Sequence, residues 1–400
     1  MIQRGQGGIG KWVEQVANHL SSPERGLRLE IYVLREDIPL FKELGEQENV
    51  SLVSVSEIFR GAVMNCLWHQ VVWPILALFR RIDIAHVPSY RRMPAWMPCP
   101  TVATIHDLAP FELSGKYDWM RNAYARHVVP WLARRMDHIV AVSEDTAAAV
   151  RRHLRVPESR ISVLLNGLDP QFRKMDENTR CEAQESVAVK FGLGSKYWLY
   201  VSRLEHPGKN HCRLIEAFEI FCDRLGSEGD THQLVLAGAD WHGAEIIHQK
   251  IRSSLRHRQI VTTGYISRFE IYGLYSGCLG LTFASLWEGF GLPLVEAMAM
   301  GKPVMASGRG ALGEVLGDAG IRTDVEDPHK MAEGMIEIIK DRDKREAMIR
   351  AGYRRADDFD WNHSADGLVG IYHQCHSSRI AGKQKQCAMI MPMEPQNKDL

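Results

Sequence analysis

Residues Ser285 to Gly301 read SLWEGFGLPLVEAMAMG. Glu288 stands just before a tight Gly289-Phe290-Gly291-Leu292 loop. Pro293 suits a first helical position, because it has no amide to leave unsatisfied there. The run LVEAMAM then predicts a helix that stops near Gly301. The first amides of a helix lack intrahelical acceptors, and two glycines allow close approach, so this loop is a natural seat for a diphosphate. Glu296 is expected on the first helical turn, in reach of ribose hydroxyls. Glu288 is expected at the loop entrance, where a sugar would sit. A Gly-rich loop alone is weak evidence. Two carboxylates flanking it on opposite sides are specific. The ordinary alternative is a strand-loop-helix with one Glu favoured by the helix dipole.

Working outward, VSRLEHPGKNH ends a strand with Arg203 and opens a helix near Lys209. Two cations at a strand's carboxyl edge can neutralise a leaving diphosphate. Taken alone, they would read as solvated charges. In TVATIHDLAPF an apolar strand ends in His106-Asp107, where open α/β sheets bind ligands. Taken alone, His106 would read as a satisfied structural histidine.

Short β-branched runs alternate with longer helical patterns along the whole chain. LEIYVL, SLVSV, DIAHV, TVATI, HIVAVS and ISVLL read as strands of a first half. WLYVS, QLVLAG, QIVTTG, LGLTFA and KPVMAS read as strands of a second. In NHCRLIEAFEIFCDRL, the residues Leu214, Phe218, Phe221, Cys222 and Leu225 recur at helical spacing and form one apolar face. Such alternation implies parallel sheets covered on both faces. The 400 residues fit two domains. We expect a first domain over 1–172, a polar linker over 173–195, a second domain over 196–376 and a loose tail over 377–400.

Lys plus Arg balance Asp plus Glu at 49 each, which gives no support for a nucleic-acid partner. The eight cysteines are scattered without a CxxC pair and read as reduced, cytosolic thiols. No metal site is expected. The start, MIQRGQGGIG, lacks the apolar core of a signal peptide. The longest apolar run, CLWHQVVWPILALF over Cys66 to Phe79, is expected to be too short to span a bilayer. It reads as a buried or half-buried helix. Its sharper reading is a peripheral membrane contact through Trp68, Trp73 and Leu76, with Arg80 and Arg81 at its end. The Gly-rich GQGGIG opens the chain with no apolar strand before it. In a doubly wound sheet that strand is central. The first domain is therefore expected to lack its first strand, and the natural product to carry one before Gln3.

The chain resembles glycosyltransferase family four, whose GT-B fold sets two Rossmann-like domains face to face. The resemblance runs from GGIG at Gly7 to about Trp361. It rests on DHIVAVSEDTAAAVRRHL, ISVLLNGLDPQF, VTTGYIS, FASLWEGFGLPLVEAMAMGKPV and GEVLGDAGI, and on seven residues between Glu288 and Glu296. It implies that Gly8 lies against the donor's phosphate or sugar and that His106 touches the donor sugar near the reacting centre. It implies that Arg203 and Lys209 hold the diphosphate, and that Tyr265 and Ile266 run alongside the base. Glu288 and the amides of Phe290, Gly291 and Leu292 would meet sugar and phosphate. Glu296 would bind the ribose. The family retains anomeric configuration and needs neither metal nor cofactor; its substrate here would be a GDP- or UDP-sugar. The sequence departs from the family in three places. Five residues, LEHPG, separate Arg203 from Lys209 where four are usual. Ala284 stands where a Pro is usual. The first strand is missing.

The resulting expectation is a retaining hexosyltransferase of mannose or glucose type. Its acceptor would be a saccharide, lipid-linked, at the inner face of the cell membrane, in cell-surface polysaccharide assembly. A nucleotide-sugar epimerase of GT-B fold and a silent nucleotide-sugar-binding protein are the alternatives. Product sugar still joined to nucleotide would mark the first. Donor binding without turnover would mark the second.

Overall fold

The structure is a computed structural model that describes residues 8–112 and 122–389. It has the GT-B architecture of two Rossmann-like domains with parallel sheets. In the first domain, β1 (Leu29–Leu34) pairs in parallel with β2 (Val50–Val55). A separate parallel sheet holds β3 (Ala85–Val87), β4 (Thr101–Ile105), β5 (His138–Ala141) and β6 (Ile161–Val163), in that order. The second domain holds β7 (Tyr197–Val201), β8 (Gln233–Ala237), β9 (Ile260–Thr262), β10 (Gly280–Phe283), β11 (Val304–Ser307) and β12 (Ile321–Thr323). Their order is β12-β11-β10-β7-β8-β9. Strand β12, in GIRT, was not expected as a strand. It has three residues, none fully buried, so the sequence carries little apolar signal there.

The strand order reverses where β10 lies beside β7, with Leu281 opposite Leu199. Loops leaving the carboxyl ends of two such strands frame a crevice. Here those loops carry Arg203 and Lys209 from β7, and Glu288 from β10. The helix His211–Leu225 covers one face through Leu214, Phe218, Phe221 and Cys222, all fully buried, as its spacing requires.

The first-domain sheet is in two pieces. Among the described residues, no strand lies between β1 and β3. The first described element is the helix Gly8–Leu20, and the segment before Gly8, with Gln3 and Gly7, lies outside the described residues. Side chains hold the two pieces together. Leu34 and Val55 share a buried cluster with Ala85, Val87, Ala103 and Ile105. On the other face, Leu29 and Ile84 pack on a cluster built around Trp12, Val16 and Leu20.

The apolar run forms one continuous helical stretch, Ala62–Phe79, of 18 residues. By length and composition it is enough to cross a membrane, contrary to the expectation that it is too short. Trp68, His69, Trp73, Pro74 and Ala77 are nevertheless buried within the first domain. The tryptophans therefore belong to the core and not to a membrane-facing surface. The outward row is Val63, Leu67, Val71, Ile75, Leu78 and Phe79.

The stretch 173–195, expected as a linker, carries the helix Glu177–Phe191. It packs on the helix Arg268–Gly277, where a Cβ on Gly273 would overlap the Ala183 carbonyl. The helix Trp361–Met389 begins within the span expected for the second domain and runs into the expected tail. Its Trp361, Ala365, Leu368 and Ile371 pack with Trp12 and Val16 of the first domain. Its faint amphipathic signal hid this packing. Residues 390–400 lie outside the described residues.

Burial lowers the pKa of several histidines in this framework, three of them furthest. His69, His86 and His211 are each pushed down to about 3, chiefly by desolvation. In the unfolded chain they titrate near 6.5. Below that pH the unfolded state takes up protons that the native state refuses, so stability falls as pH falls. The slope reaches about 1.4 kcal/mol per pH unit for each histidine. Thermal melting followed between pH 7 and 5, where most carboxylates stay ionised, should show a falling midpoint. A flat midpoint over that window would contradict the burial of neutral imidazoles.

Candidate active site

The loop after β10 is fixed from both sides. Ser285, fully buried, hydrogen-bonds through its Oγ with the Tyr200 hydroxyl at 2.9 Å, and that hydroxyl donates to the Lys209 carbonyl at 2.7 Å. The Leu286 amide donates to Gly208 O at 3.0 Å. These bonds tie the Arg203–Lys209 loop to the Glu288 loop. Their end result is an ion pair between Lys209 Nζ and Glu288 Oε1, with both side chains largely enclosed. A charge-assisted bond of this kind strengthens as water is excluded.

Between Arg203 and Lys209 the chain at first continues the β7–β8 pairing. Leu204 N donates to Ala239 O, Trp241 N to Leu204 O and His206 N to His242 O, each at 3.0 Å. Arg203 donates to Glu205 Oε2 at 3.3 Å, and its guanidinium carbon lies 4.6 Å from the centroid of the Trp241 ring.

The helix over the glycine-rich loop runs Leu292–Ala299, with Gly291 as its N-cap at φ 102°. That φ favours glycine, and a Cβ there would also crowd Leu312. Pro293 is thus the second helical residue, and Glu296 lies one residue further in than expected. Phe290 is buried edge-on against Phe359, with centroids 5.5 Å apart. Glu296 accepts from the Tyr275 hydroxyl at 2.8 Å. Desolvation raises its pKa above the ordinary value, opposed by Lys11, by the Tyr275 hydrogen bond and by Arg268. Lys11 comes from the first-domain helix, so both domains act on this carboxylate.

The first domain meets the loop at Gly289. Ser143, in the turn after β5, donates to Gly289 O at 2.8 Å, and Thr146 reaches the same oxygen at 3.4 Å. A Cβ on Gly289 would overlap the carbonyl oxygen of His106. The backbones of His106 and Gly289 therefore touch across the domain boundary. Nearby, Glu314 accepts from the amides of Glu144 at 3.1 Å and Asp145 at 3.2 Å. The His106 Nε2 lies 3.2 Å from Pro88 O, and Trp12 meets its ring edge-on at 5.2 Å. The carbonyl can only accept, so Nε2 carries the proton. Desolvation lowers the His106 pKa to about 4, so the ring is neutral near pH 7. Asp107 instead caps its own turn, accepting from Ala109 N at 3.0 Å.

The structure thus brings together Lys209, Glu288, Phe290, Gly291, Leu292 and His106 where β7, β10 and β4 end. Glu296 lies one turn deeper. Tyr265 is exposed and Ile266 half-buried on the loop after β9, beside the β8 loop through the Gly238–Gly264 bridge. Gly8 is exposed at the start of the first helix, and no described contact joins it to Glu288 or Lys209. The sequence reading missed Ser143, Thr146, Glu314, Lys11 and Trp241. SEDT is legible as a helix cap, and Ser143 does accept from Thr146 N. Nothing in the sequence shows that its hydroxyl also reaches Gly289, 146 positions away.

A crevice at the reversal of a parallel sheet, lined by a cation-carboxylate pair and a glycine-rich helix start, and faced by a second Rossmann-like domain, defines the GT-B class. Residues 6–172 match the family described as Glycosyltransferase Family 4, and residues 183–355 match Glycosyl transferases group 1. The chain belongs to the group 1 glycosyltransferases of family four. It is 28% identical over 272 residues to the O-antigen chain mannosyltransferase B of Escherichia coli, covering 68% of this chain and 69% of that one. It is 29% identical over 226 residues to a serotype-specific mannosyltransferase, WbdA, of the same organism, spanning 27% of that protein's length. Among solved structures, Anabaena Alr3699/HepE in complex with UDP and glucose superposes with a TM-score of 0.70 at 20% identity, covering 91% of this chain and 95% of that one. The glycosyltransferase WaaG, involved in lipopolysaccharide biosynthesis, superposes at 0.67 with 15% identity, covering 92% and 96%.

Because Gly289 touches His106 backbone to backbone, Gly289→Ala should push the domains apart by roughly an ångström. A displacement of that size at a reacting centre costs about 100-fold in rate. Turnover should fall by that order while the circular dichroism spectrum stays unchanged. Wild-type turnover in the variant would show that the contact is dispensable.

Proposed function

We propose that this glycosyltransferase moves a hexosyl group, of mannose or glucose type, from a GDP- or UDP-sugar to a saccharide acceptor, with retention and without a metal ion. The observation that carries the reading is the Lys209–Glu288 pair, set beside the Gly291–Leu292 helix start and facing His106 across the domain boundary. Arg203, Lys209 and the loop amides neutralise the departing diphosphate, in place of a cation. Neutral His106, with Nε2 donating to Pro88 O, offers its other nitrogen as an acceptor for a sugar hydroxyl. Glu296 takes the ribose hydroxyls. Tyr265 and Ile266 lie where the base would run. Gly8 contacts the donor from the first-domain side.

The C1–O bond to phosphate breaks as the acceptor oxygen bonds to C1 on the same face. The acceptor's proton passes to a phosphate oxygen. Contact between the domains keeps water from the oxocarbenium-like centre. The mannosyltransferase relatives support assembly of a cell-surface polysaccharide.

A lipid-linked acceptor at the cytoplasmic face of the membrane completes the proposal. Its support is the outward row Val63, Leu67, Val71, Ile75 and Leu78, spaced by about one helical turn and followed by Arg80 and Arg81.

Glu288→Gln should abolish most turnover while leaving nucleoside diphosphate binding nearly intact. Glu296→Ala should weaken diphosphate binding by about 10- to 150-fold, the value of a charged hydrogen bond. Calorimetry with GDP and UDP, alongside donor turnover, separates the two. Full turnover in Glu288→Gln would remove the proposed chemistry from this site.

Liposome flotation tests the membrane contact. Replacing Val63, Leu67, Val71 and Ile75 together by Gln should release the protein from vesicles without lowering its melting midpoint. Equal flotation of both forms would assign the row to another purpose.

A further inference from the structure

We propose that Trp241 is a positioning residue for Arg203: its indole face holds the guanidinium at the mouth of the donor crevice, ready for the leaving diphosphate. The inference rests on the proposed phosphate role of Arg203. Arginine has a long, flexible side chain, and one set at an open strand edge samples many rotamers. Two features restrain this one. Its guanidinium carbon lies 4.6 Å from the Trp241 ring centroid, within cation–π range. Its Nη2 donates to Glu205 Oε2 at 3.3 Å, and Glu205 is only 4% exposed.

The backbone explains why Trp241 stands there. The three bonds among Leu204, Ala239, Trp241, His206 and His242 carry the β7–β8 pairing past the ends of both strands. Leu204 and Asp240 also form a parallel bridge. That register puts Ala239 opposite Arg203 and Trp241 opposite Glu205, so Trp241 is the diagonal neighbour of Arg203, two positions along the ladder. Trp241 is 48% exposed, so the indole is not there to fill the core. Its own amide donates to Leu204 O, which holds the half-exposed indole against the guanidinium. The aromatic face takes up none of the guanidinium's N–H groups, so beyond the one Nη2 contact to Glu205 the remaining donors stay available to phosphate oxygens.

The test compares affinities for GDP, UDP, guanosine and uridine in four variants: Trp241→Ala, Trp241→Leu, Trp241→Phe and Arg203→Ala. Trp241→Ala should weaken diphosphate binding about 3- to 30-fold and leave nucleoside binding unchanged. Trp241→Leu, which keeps apolar bulk without a π face, should lose as much. Trp241→Phe should recover most of the loss. Adding Trp241→Ala to Arg203→Ala should cost nothing more. Unchanged diphosphate affinity in Trp241→Ala, or a loss that adds in full to that of Arg203→Ala, would overturn the proposal while leaving the phosphate role of Arg203 standing. If Arg203→Ala itself spares diphosphate binding, the phosphate role fails and the positioning role with it.

Discussion

The site depends on a place where no side chain fits. Gly289 lies against the His106 carbonyl, and its own carbonyl takes the Ser143 hydroxyl. Two backbones in contact across a domain boundary leave no room for adjustment, because neither can change rotamer to relieve a clash. The loop carrying Glu288 is thereby located by the first domain as well as by the strand it leaves. Glu314 on the amides of Glu144 and Asp145 reinforces the same boundary with charge-assisted bonds. The crevice is a property of the pair of domains and of neither alone.

Electrostatics within the crevice follow from that enclosure. Lys209 and Glu288 neutralise one another where few waters reach either. In the proposed reaction a donor diphosphate would compete for the lysine and leave the carboxylate for the sugar side, so that one ion pair would serve both ends of the breaking bond. His106 is kept neutral by desolvation, which suits a hydrogen-bonding partner for an uncharged sugar better than a second cation would. Glu296 feels Lys11 and Arg268 from opposite sides of the boundary, against the cost of its own burial.

The first domain reaches the same end by an unusual route. Among the described residues its strands form two sheets, and buried side chains pack between them. Hydrophobic burial is non-directional, so it can join two pieces that no backbone bond connects. The helix Trp361–Met389 contributes to this from the far end of the chain, placing Trp361 and Leu368 against Trp12 and Val16. The helix Ala62–Phe79 gives its tryptophans to the same domain and keeps its aliphatic row outside.

What the sequence determined by itself is local and periodic. Strand-helix alternation announced parallel sheets, the spacing in NHCRLIEAFEIFCDRL announced the buried face of its helix, and EGFGLPLVE announced a glycine-rich turn into a helix between two carboxylates. These signals are legible because each arises within one turn or one strand. Trp68 and Trp73 show the limit of such reading: composition marked the run as apolar, but only packing decided which face points inward. The same holds for the helix Glu177–Phe191, polar enough to pass for a linker until Ala183 and Val187 meet the helix Arg268–Gly277. The partners of the site residues were decided by tertiary structure alone. Lys209 finds Glu288 because β7 and β10 are neighbours in the sheet, and Ser143 finds Gly289 because two domains meet. Sequence separation carries no record of such distances, since the chain's return path is set by the burial of whole surfaces and not by any single residue's preference.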